Sequence, residues 1–203
     1  MDSGDMLIKA IEPICSDDTA VTLMDRLAIL GAVTMVKALK LMIAGTLTRE
    51  PQNHAAATYA PKMQKNDGLI DWTLPAEVIE RRIRAYDPWP GAFTFMPRRF
   101  SKPGLTTRLK ILQAEIVKDA AAGADAWVPG TLRALSPMGP VVATGNHQAL
   151  CLTAVQPDGS RRMDGRSFLN GHAMRPGERF GENPDAARPS AEPVPPAAQQ
   201  GTP

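Results

Sequence analysis

A helix that has to end abruptly before a strand is the feature that most constrains the fold of this chain. Residues 69–95 read LIDWTLPAEVIERRIRAYDPWPGAFTF. Val78, Ile79 and Ile83 recur at helical spacing and predict a buried stripe, while arginine and glutamate crowd the other side. Two prolines and a glycine within residues 87–91 disfavour helical backbone, so the helix ends there and a strand follows. The stretch predicts a short half-buried helix, a change of direction and the first strand of a sheet.

Capping residues predict where this helix begins. Thr73 is of a type favoured at helix N-caps, and Pro75 suits the first turn because the N–H that it lacks would have no partner there. Glu77 suits the positive end of the helix dipole. The helix is therefore expected to start directly after Thr73.

A longer helix is predicted earlier in the chain, over residues 20–44. Asp17, Asp18 and Thr19 supply capping side chains at its start, and Gly45 is suited to the position after its end. Apolar residues recur along it at helical spacing over several turns. So much apolar surface on one helix requires a partner layer.

The segments on either side of this helix are read differently. Residues 7–14 predict a short strand, broken at Pro13. A lone strand leaves backbone groups unpaired on both edges, which suggests that it belongs to a sheet whose other strands lie elsewhere. Residues 46–65 have the composition of a linker, with no sustained period.

The second half of the chain predicts short strands separated by turn-rich pieces. Five strands are expected, at residues 92–95, 109–117, 130–135, 140–144 and 149–155, followed by a short helix at 161–169. That number of strands suits a small closed barrel of the OB type. A sandwich fragment fits the pattern alone almost as well. In either case the fold class is α+β.

Composition limits the classes of function. Among 203 residues the formal net charge is +2, so a nucleic-acid surface has to come from local clustering of charge. Cys15 and Cys151 have no metal-ligand spacing, and no metal site is predicted. We find no apolar run long enough to span a membrane and no secretory signal, so a cytoplasmic location without membrane contact is expected. Residues 181–203 are rich in proline and poor in large apolar side chains, and predict a disordered tail.

Basic residues cluster around the start of the expected barrel, and three more, Arg161, Arg162 and Arg166, lie near its end. Binding of a nucleic-acid backbone needs such charges on one face. On charge alone, an RNA surface and an ordinary solvated surface are about equally supported. Trp72, Trp89 and Phe93 could stack on bases, although aromatic residues beside prolines more often pack a domain junction. The first cluster consists of Arg81, Arg82, Arg84, Arg98, Arg99, Lys102, Arg108 and Lys110.

Several motifs resemble one family in order along the chain. DGLIDW, IERRIRA and DPWPGAFT in residues 67–94 look like the start of the C-terminal domain of methionyl-tRNA formyltransferase. MDSGDML, TLMDRLAILGA and TYAPKM match the same family before it. The resemblance implies a strand and long helix left from an α/β formyltransferase domain at 1–45, a linker at 46–65, an OB-like domain that binds tRNA at 66–180 and a tail at 181–203.

The resemblance also implies an activity. Family members transfer a formyl group from 10-formyltetrahydrofolate to the amino group of methionine on initiator tRNA. Met1-Asp2-Ser3-Gly4 resembles the family's Leu-Asp-x-Gly loop, so Asp2 corresponds to the aspartate that orients a catalytic histidine. The family's asparagine and histidine, with its folate loop, would lie before Met1, and His54, His147 and His172 occur in no matching motif.

The chain is therefore expected to be a truncated product that binds initiator methionyl-tRNA weakly and has little or no turnover alone. A split protein, in which a separate chain supplies the missing catalytic domain, is the alternative. Two other functions stay open: a non-catalytic tRNA or RNA-binding module, and a formyl-folate transferase that acts on a sugar nucleotide. With the resemblance, contact with tRNA becomes the better interpretation of the first basic cluster.

Overall fold

The computed structural model of the protein describes residues 4–100, 107–117 and 127–181. Within these ranges the chain forms one antiparallel sheet and three α-helices, which confirms the α+β class. The helices are α1 (Ala20–Ile43), α2 (Ala76–Tyr86) and α3 (Gly165–Gly171). The strands are β1 (Phe93–Phe95), β2 (Arg108–Ile116), β3 (Leu132–Ser136), β4 (Gly139–Ala143), β5 (Ala149–Pro157) and β6 (Met163–Asp164). None of the helices in these ranges has the length and apolar character needed to cross a bilayer.

The sheet has the strand order β1-β2-β5-β4-β3, and β6 pairs with β5 beyond the end of β4. Its two edges are joined by the segment that follows α3. There the Leu132 N–H donates to the Glu178 carbonyl at 2.7 Å, and the Gly181 N–H donates to the Phe95 carbonyl at 2.9 Å. This one segment therefore hydrogen-bonds both β3 and β1 and covers part of each sheet edge. The OB-like assignment stays an interpretation of this arrangement.

The core lies between the inner face of the sheet and the helices α2 and α3. Trp72 extends into it from the segment before α2, and its Nε1–H donates to Thr94 Oγ1 at 3.0 Å, so its one polar group is satisfied in the interior. The fully enclosed side chains are large and apolar, as expected for a close-packed interior. They include Ile79, Ile83, Leu109, Ile111, Leu132, Val142, Leu150, Leu152, Val155, Phe168 and Phe180.

The start of α2 differs from its prediction. Thr73 does not cap the helix, because its hydroxyl and its N–H both donate to Asp71 Oδ1, at 2.6 and 2.9 Å. Pro75 occupies the N-cap position and has no side-chain acceptor to offer. The Ala76 N–H donates instead to Gln148 Oε1 at 2.9 Å, from the turn between β4 and β5. The cap is supplied across the fold, 72 residues along the chain.

The N-terminal part also corrects a prediction. The strand expected at residues 7–14 is wrong, because the structure has no strand there and only an isolated bridge joins Met6 to Glu50. Helix α1 follows its prediction closely, with Thr19 and Thr22 forming a reciprocal capping box and Gly45 beyond its end at φ +70°. No residue of α1 is buried.

The last helix begins later than predicted. Residues 161–162 are not helical, and 163–164 pair with β5 as β6. Asp164 then caps α3 by accepting from the Ser167 N–H at 2.7 Å. The domain boundaries proposed from the sequence stay predictions, and most of the expected tail lies outside the described residues.

Candidate nucleic-acid interface

The structure distributes the predicted RNA-binding residues over four places. Arg108 and Lys110 lie on β2, Arg81 and Arg82 are exposed on α2, Arg84 faces the start of α1, and Arg99 follows β1. Asp2 and Lys102 lie outside the described residues, as does the side chain of Arg98. The eight residues therefore do not form one uniform patch, and each place has to be judged by its own contacts.

Arg108 and Lys110 share the outer face of β2, because Leu109 and Ile111 between and beyond them are buried in the core. The Arg108 guanidinium carbon lies 3.6 Å from the centroid of the Phe93 ring, in cation–π contact. Phe93 stands opposite Lys110 in the β1–β2 register. Phe93 is only 5% exposed, so it supports the arginine and has little surface left for stacking on a base.

Lys110 lies against the turn that ends α2. The Gly91 N–H donates to the Tyr86 carbonyl at 2.8 Å, and Gly91 has φ +79°. A Cβ placed on Gly91 would come within 2.5 Å of Lys110 Cε, so the lysine stem occupies the space that a side chain at residue 91 would take. On β5, the residue opposite Lys110 is Gln156, which is uncharged.

Arg82 borders the same turn from the helix side. It lines a small cleft with Gly68, Tyr86 and Ala92. Gly68 in turn abuts Gly91, because a Cβ on Gly68 would lie 2.1 Å from the Gly91 carbonyl oxygen. We call Arg108 and Lys110, with Arg82 at the margin, the β2 basic face. No ion pair involves these three residues within the part of the chain that the structure describes.

Arg84 is committed to internal contacts. Its Nε and Nη2 donate to the two carboxylate oxygens of Glu80, at 2.6 and 3.0 Å, and its Nη1 donates to the backbone carbonyl of Asp18. The hydrogen bond from Arg84 to Glu80 raises the pKa of the guanidinium above its usual value. Arg84 therefore joins α2 to the start of α1, a role that the charge pattern did not indicate.

Arg99 is also committed. Its guanidinium stacks over Phe100, 4.1 Å from the ring centroid, and donates to the Glu178 carboxylate and the Ala173 carbonyl. Partial burial raises the pKa of Glu178, but the hydrogen bonds from Arg99 and from the Arg175 N–H outweigh it and lower the pKa overall. Arg99 thus fastens the segment that joins the two edges of the sheet.

The aromatic candidates and Arg81 have other surroundings. Trp72 packs in the core, whereas Trp89 is 58% exposed in the turn after α2. Arg81 lines an apolar groove of about 550 Å³ with Leu23, Met24 and other residues at the start of α1. No local pattern in the sequence predicts this groove, since it depends on how α1 and α2 meet.

Residues 62–173, more than half of the chain, match the family described as formyl transferase, C-terminal domain. The chain belongs to this formyltransferase family. The match covers α2, the described strands and α3, and therefore includes the whole β2 basic face.

The relatives that the chain resembles carry the same name. The methionyl-tRNA formyltransferase of Symbiobacterium thermophilum is 40% identical over 195 residues, covering 96% of this chain and 56% of that protein. The methionyl-tRNA formyltransferase of Pseudoalteromonas translucida is 38% identical over 185 residues, with 90% and 54% covered. The chain spans about half the length of the curated relatives it matches.

Solved structures resemble the chain in fold alone. A variant of HypX from Aquifex aeolicus has a TM-score of 0.55 at 18% identity, over 83% of this chain and 28% of that one. The N-formyltransferase from Helicobacter canadensis, in complex with folinic acid and dTDP-3-aminofucose, has a TM-score of 0.51 at 16% identity, over 77% and 51%. Both likenesses support the mixed α and β architecture described above.

The three histidines of the chain lie apart on the fold. His172 ends α3, where its ring stacks on Phe168 with centroids 4.5 Å apart and its Nδ1 contacts the Phe168 carbonyl at 3.0 Å. His54 and His147 are exposed, in a 3-10 turn and in the β4–β5 turn. In the described ranges, none of the three pairs with a carboxylate, and no three His, Cys, Asp or Glu side chains group as a metal site.

A polar cleft of about 350 Å³ lies between α1, α2 and the bulged part of β2. Its charged lining is dominated by carboxylates, and Arg84 at its edge is already paired with Glu80. Such a cleft repels a ligand that itself carries carboxylates, as folates do. It does not fit as a folate site. The charged residues are Asp17, Glu80, Arg84, Asp87, Glu115 and Arg162.

Proposed function

We propose that this chain acts in the N-formylation of methionine on initiator tRNA, with 10-formyltetrahydrofolate as formyl donor, and that it contributes the part that holds the tRNA. The observation that carries the proposal is the agreement of relatives named methionyl-tRNA formyltransferase, at 37–40% identity over about nine tenths of the chain or more. The positive charges of Arg108 and Lys110 on the β2 basic face are consistent with a polyanionic partner.

Formyl transfer to a sugar nucleotide is the second candidate. It is favoured by one observation, the fold likeness to the Helicobacter canadensis N-formyltransferase, whose structure contains dTDP-3-aminofucose. That likeness rests on 16% identity, against 40% for the Symbiobacterium relative. We therefore place tRNA first.

Catalysis by this chain alone is not part of the proposal. The described residues assemble no histidine–carboxylate pair, and the polar cleft does not suit a folate. Asp2 keeps the role suggested by its motif, in which a carboxylate would orient a histidine and stabilise its charged form. We expect the isolated chain to bind tRNA with little or no turnover, as a non-catalytic binding module would.

Two assays on the purified chain test this proposal. Filter binding with an initiator tRNA transcript should give saturable binding that weakens as salt rises. Formyl transfer from 10-formyltetrahydrofolate to methionyl-tRNA, measured beside transfer to dTDP-3-aminofucose, should stay near background. Transfer to the sugar nucleotide, or a failure to bind tRNA, would contradict the proposal.

Turnover with methionyl-tRNA would have a different meaning. It would support the proposed substrate and show that the chain holds a catalytic base within its own residues. Asp2→Asn would then be the decisive variant, because it keeps the size of the side chain and removes its charge. Full activity of that variant would remove Asp2 from the proposed role.

A further inference from the structure

We propose that two copies of this chain associate in solution through one exposed side of α1, antiparallel to each other and related by a two-fold axis at the middle of the helix. The partner is therefore a second copy of the same chain. The inference is independent of the tRNA proposal and goes beyond it. We call the residues that make the contact the α1 stripe. They are Val21, Met24, Ala28, Met35, Leu39 and Met42.

The α1 stripe runs along the whole helix on one side. Its residues follow each other at intervals of three, four or seven, which places them one above another in a helix of 3.6 residues per turn. All of them are exposed, and the exposed fraction of the five large side chains lies between 44% and 67%. A continuous apolar surface of this length is typical of an interaction site.

The opposite side of α1 is occupied by the chain itself. Arg26 on that side donates to Glu12 Oε1 at 2.6 Å and to the Pro13 carbonyl at 2.9 Å, so the segment before α1 lies there. Leu30 and Leu41, which lie on the same side as Arg26, are half-buried. The described part of the chain therefore leaves the α1 stripe uncovered.

The α1 stripe is complementary to itself about the middle of the helix. Met24 is the fifth residue from the start of α1, and Leu39 is the fifth from its end. Ala28 and Met35 are likewise the ninth residues from the two ends, and the outermost members of the stripe are the second. An antiparallel pair with two-fold symmetry therefore brings Met24 against Leu39 and Ala28 against Met35.

The sizes of these side chains favour antiparallel over parallel pairing. In the antiparallel pair each Met35 meets Ala28 of the other copy, so a large side chain faces a small one and the contact packs evenly. A parallel pair would set Met35 against Met35 and leave a gap between two Ala28 residues. The antiparallel pair also places the positive end of each helix dipole beside the negative end of the other.

Gly31 and Ala32 at the centre of α1 fit this two-fold axis. A glycine inside a helix is unfavourable relative to alanine. A Cβ on Gly31 would meet nothing within 4 Å, so no contact within the described chain requires a glycine there. Where two helices cross, small residues let the backbones approach closely. The pairing thus gives Gly31 a packing role that the single chain does not provide.

The charged residues of α1 lie outside the stripe, so the pairing buries none of them. Asp25 lies at its margin, and Lys37 and Lys40 lie on the other side of the helix. Ile29 and Val33 are also exposed, but the two lysines stand beside them. A contact on that side would have to remove two ammonium groups from water, which the α1 stripe avoids.

The apolar groove at the start of α1 adjoins the stripe, because Ala20 and Met24 line it. In the antiparallel pair, the last turn of the other helix lies beside these two residues, with Ile43 of the other copy next to Ala20. Arg81 also lines the groove, and its positive charge suits the negative end of a helix dipole. We therefore infer that the groove receives the end of the second helix.

The available area matches what a small stable dimer needs. A helix of 24 residues is about 36 Å long and about 10–12 Å wide, so one half of its surface covers about 570–680 Å². Stable interfaces bury about 1,200–2,000 Å² in total, or roughly 600–1,000 Å² on each copy. The side of α1 reaches the lower limit, and the groove adds to it. We expect a dimer that dissociates on dilution.

Sedimentation velocity of the full chain, over a wide range of protein concentration, measures this association. Met35→Lys places a charge in the α1 stripe, and Val33→Lys is the matched control on the same helix, with the two native side chains 61% and 65% exposed. Met35→Lys should raise the dissociation constant of the dimer by about tenfold or more, because each copy then buries a charge. Val33→Lys should leave the dissociation constant unchanged.

Disulfide trapping under mild oxidation tests the orientation. The background is Cys15→Ser, since Cys15 is exposed and Cys151 is buried. Met24→Cys and Leu39→Cys should form a crosslinked dimer when the two variants are mixed, because the antiparallel pair sets these positions opposite each other. Neither variant should crosslink by itself. This experiment introduces no charge, so it decides the question even if Met35→Lys does not fold.

Three results would overturn the inference. A chain that stays monomeric at every concentration would remove the dimer and leave the tRNA proposal untouched. Equal weakening by Met35→Lys and Val33→Lys would show that the α1 stripe is not the contact. Crosslinking of Met24→Cys with itself, without Leu39→Cys, would show that the helices do not pair in antiparallel orientation.

Discussion

Two helices of this chain show that apolar content and burial are separate properties. Helix α1 has 24 residues and none of them is buried, although its sequence is rich in Leu, Ile, Val and Met. Helix α2 has 11 residues, of which Ala76, Ile79 and Ile83 are buried. The difference lies in what surrounds them, because the sheet packs over one face of α2, whereas among the described elements none of comparable area packs on α1. A helical period thus predicts which residues share a face, and the fold decides whether that face is covered.

The two helices are also held at their starts by different means. Helix α1 relies on neighbours in sequence, with the Thr19–Thr22 capping box and the carboxylate of Asp18, which accepts from Arg26 at 2.5 and 2.8 Å. Helix α2 relies on a distant turn, through Gln148. We therefore expect the helicity of α1 to depend mainly on nearby charges, and the helicity of α2 to depend on the rest of the folded domain.

The largest effect is expected from a matched truncation in the two helices. Ile79→Ala removes a side chain that is 2% exposed and should lower the free energy of unfolding by about 2–5 kcal/mol. Ile29→Ala makes the same chemical change at 69% exposure and should stay within about 0.5 kcal/mol. Urea unfolding followed by tryptophan fluorescence and circular dichroism measures both.

A milder variant keeps this comparison interpretable. Ile79→Val should cost about 0.5–1.5 kcal/mol, and it provides a value if Ile79→Ala does not fold. A cost above about 2 kcal/mol for Ile29→Ala would contradict the structure. It would mean that the exposed face of α1 is covered in solution.

The next largest effect is expected when the cap that Gln148 supplies to α2 is removed. Gln148→Ala removes the acceptor of the Ala76 N–H and the donor to Glu77 Oε1, and should cost about 1 kcal/mol in unfolding free energy. Gln113→Ala is the matched control, since Gln113 is exposed on β2. If both variants lose the same unfolding free energy, the cap does not stabilise α2.

Thr19→Ala removes the corresponding cap of α1 and should reduce helical content without a change in the unfolding of the sheet.

The elements that could be predicted from sequence are those with local signals. The period of α2, its stop before the two prolines and the alternation of the strands place most boundaries within a few residues. The cap of α2 could not be predicted, because Gln148 lies 72 residues away and nothing in its own segment marks it. The strand expected at residues 7–14 was wrong because a strand needs a partner strand, and the nearest bridge, Met6 to Glu50, lies just before this segment.

The candidate site shows the same limit. Charge along the sequence identified the basic cluster but could not divide it into available and engaged residues. Arg84 and Arg108 have the same side chain, yet one meets Glu80 and the other meets the Phe93 ring. That division depends on register and on the meeting of α1 with α2, which are tertiary properties.

A smaller effect should appear in acid, at the start of α1. The hydrogen bonds from Arg26 and from the Cys15 N–H hold the pKa of Asp18 well below its ordinary value of about 3.9. A depressed pKa means that the carboxylate stabilises the folded form fully above about pH 4 and loses that effect as the pH falls through the lower folded value. Helicity of α1 should therefore decrease at low pH before the sheet unfolds.

Asp18→Asn separates this effect from other carboxylates. Asp71, Asp164 and Glu178 also have lowered pKa values, so the whole protein loses stability in acid. The variant should start with lower α1 helicity at neutral pH and show a shallower decrease between pH 5 and pH 2, on the order of one titrating group. Identical acid profiles for the two proteins would show that the Asp18 pair does not hold α1.

The smallest effect concerns the contact between the two helices. Arg84→Lys keeps the charge and removes the planar fork that reaches both Glu80 and the Asp18 carbonyl. Ion pairs spaced by four residues in a helix contribute about 0.3–0.5 kcal/mol, so global stability should change by less than about 1 kcal/mol. Hydrogen exchange at the first amides of α1 should nevertheless become faster, because the start of α1 loses its contact with α2. Arg82→Lys on the same helix is the control for hydrogen exchange.

The affinity of Arg84→Lys for tRNA should stay unchanged, since Arg84 is not part of the β2 basic face. A loss of tRNA affinity in Arg84→Lys with no change in exchange would reverse the assignment and make Arg84 an RNA contact.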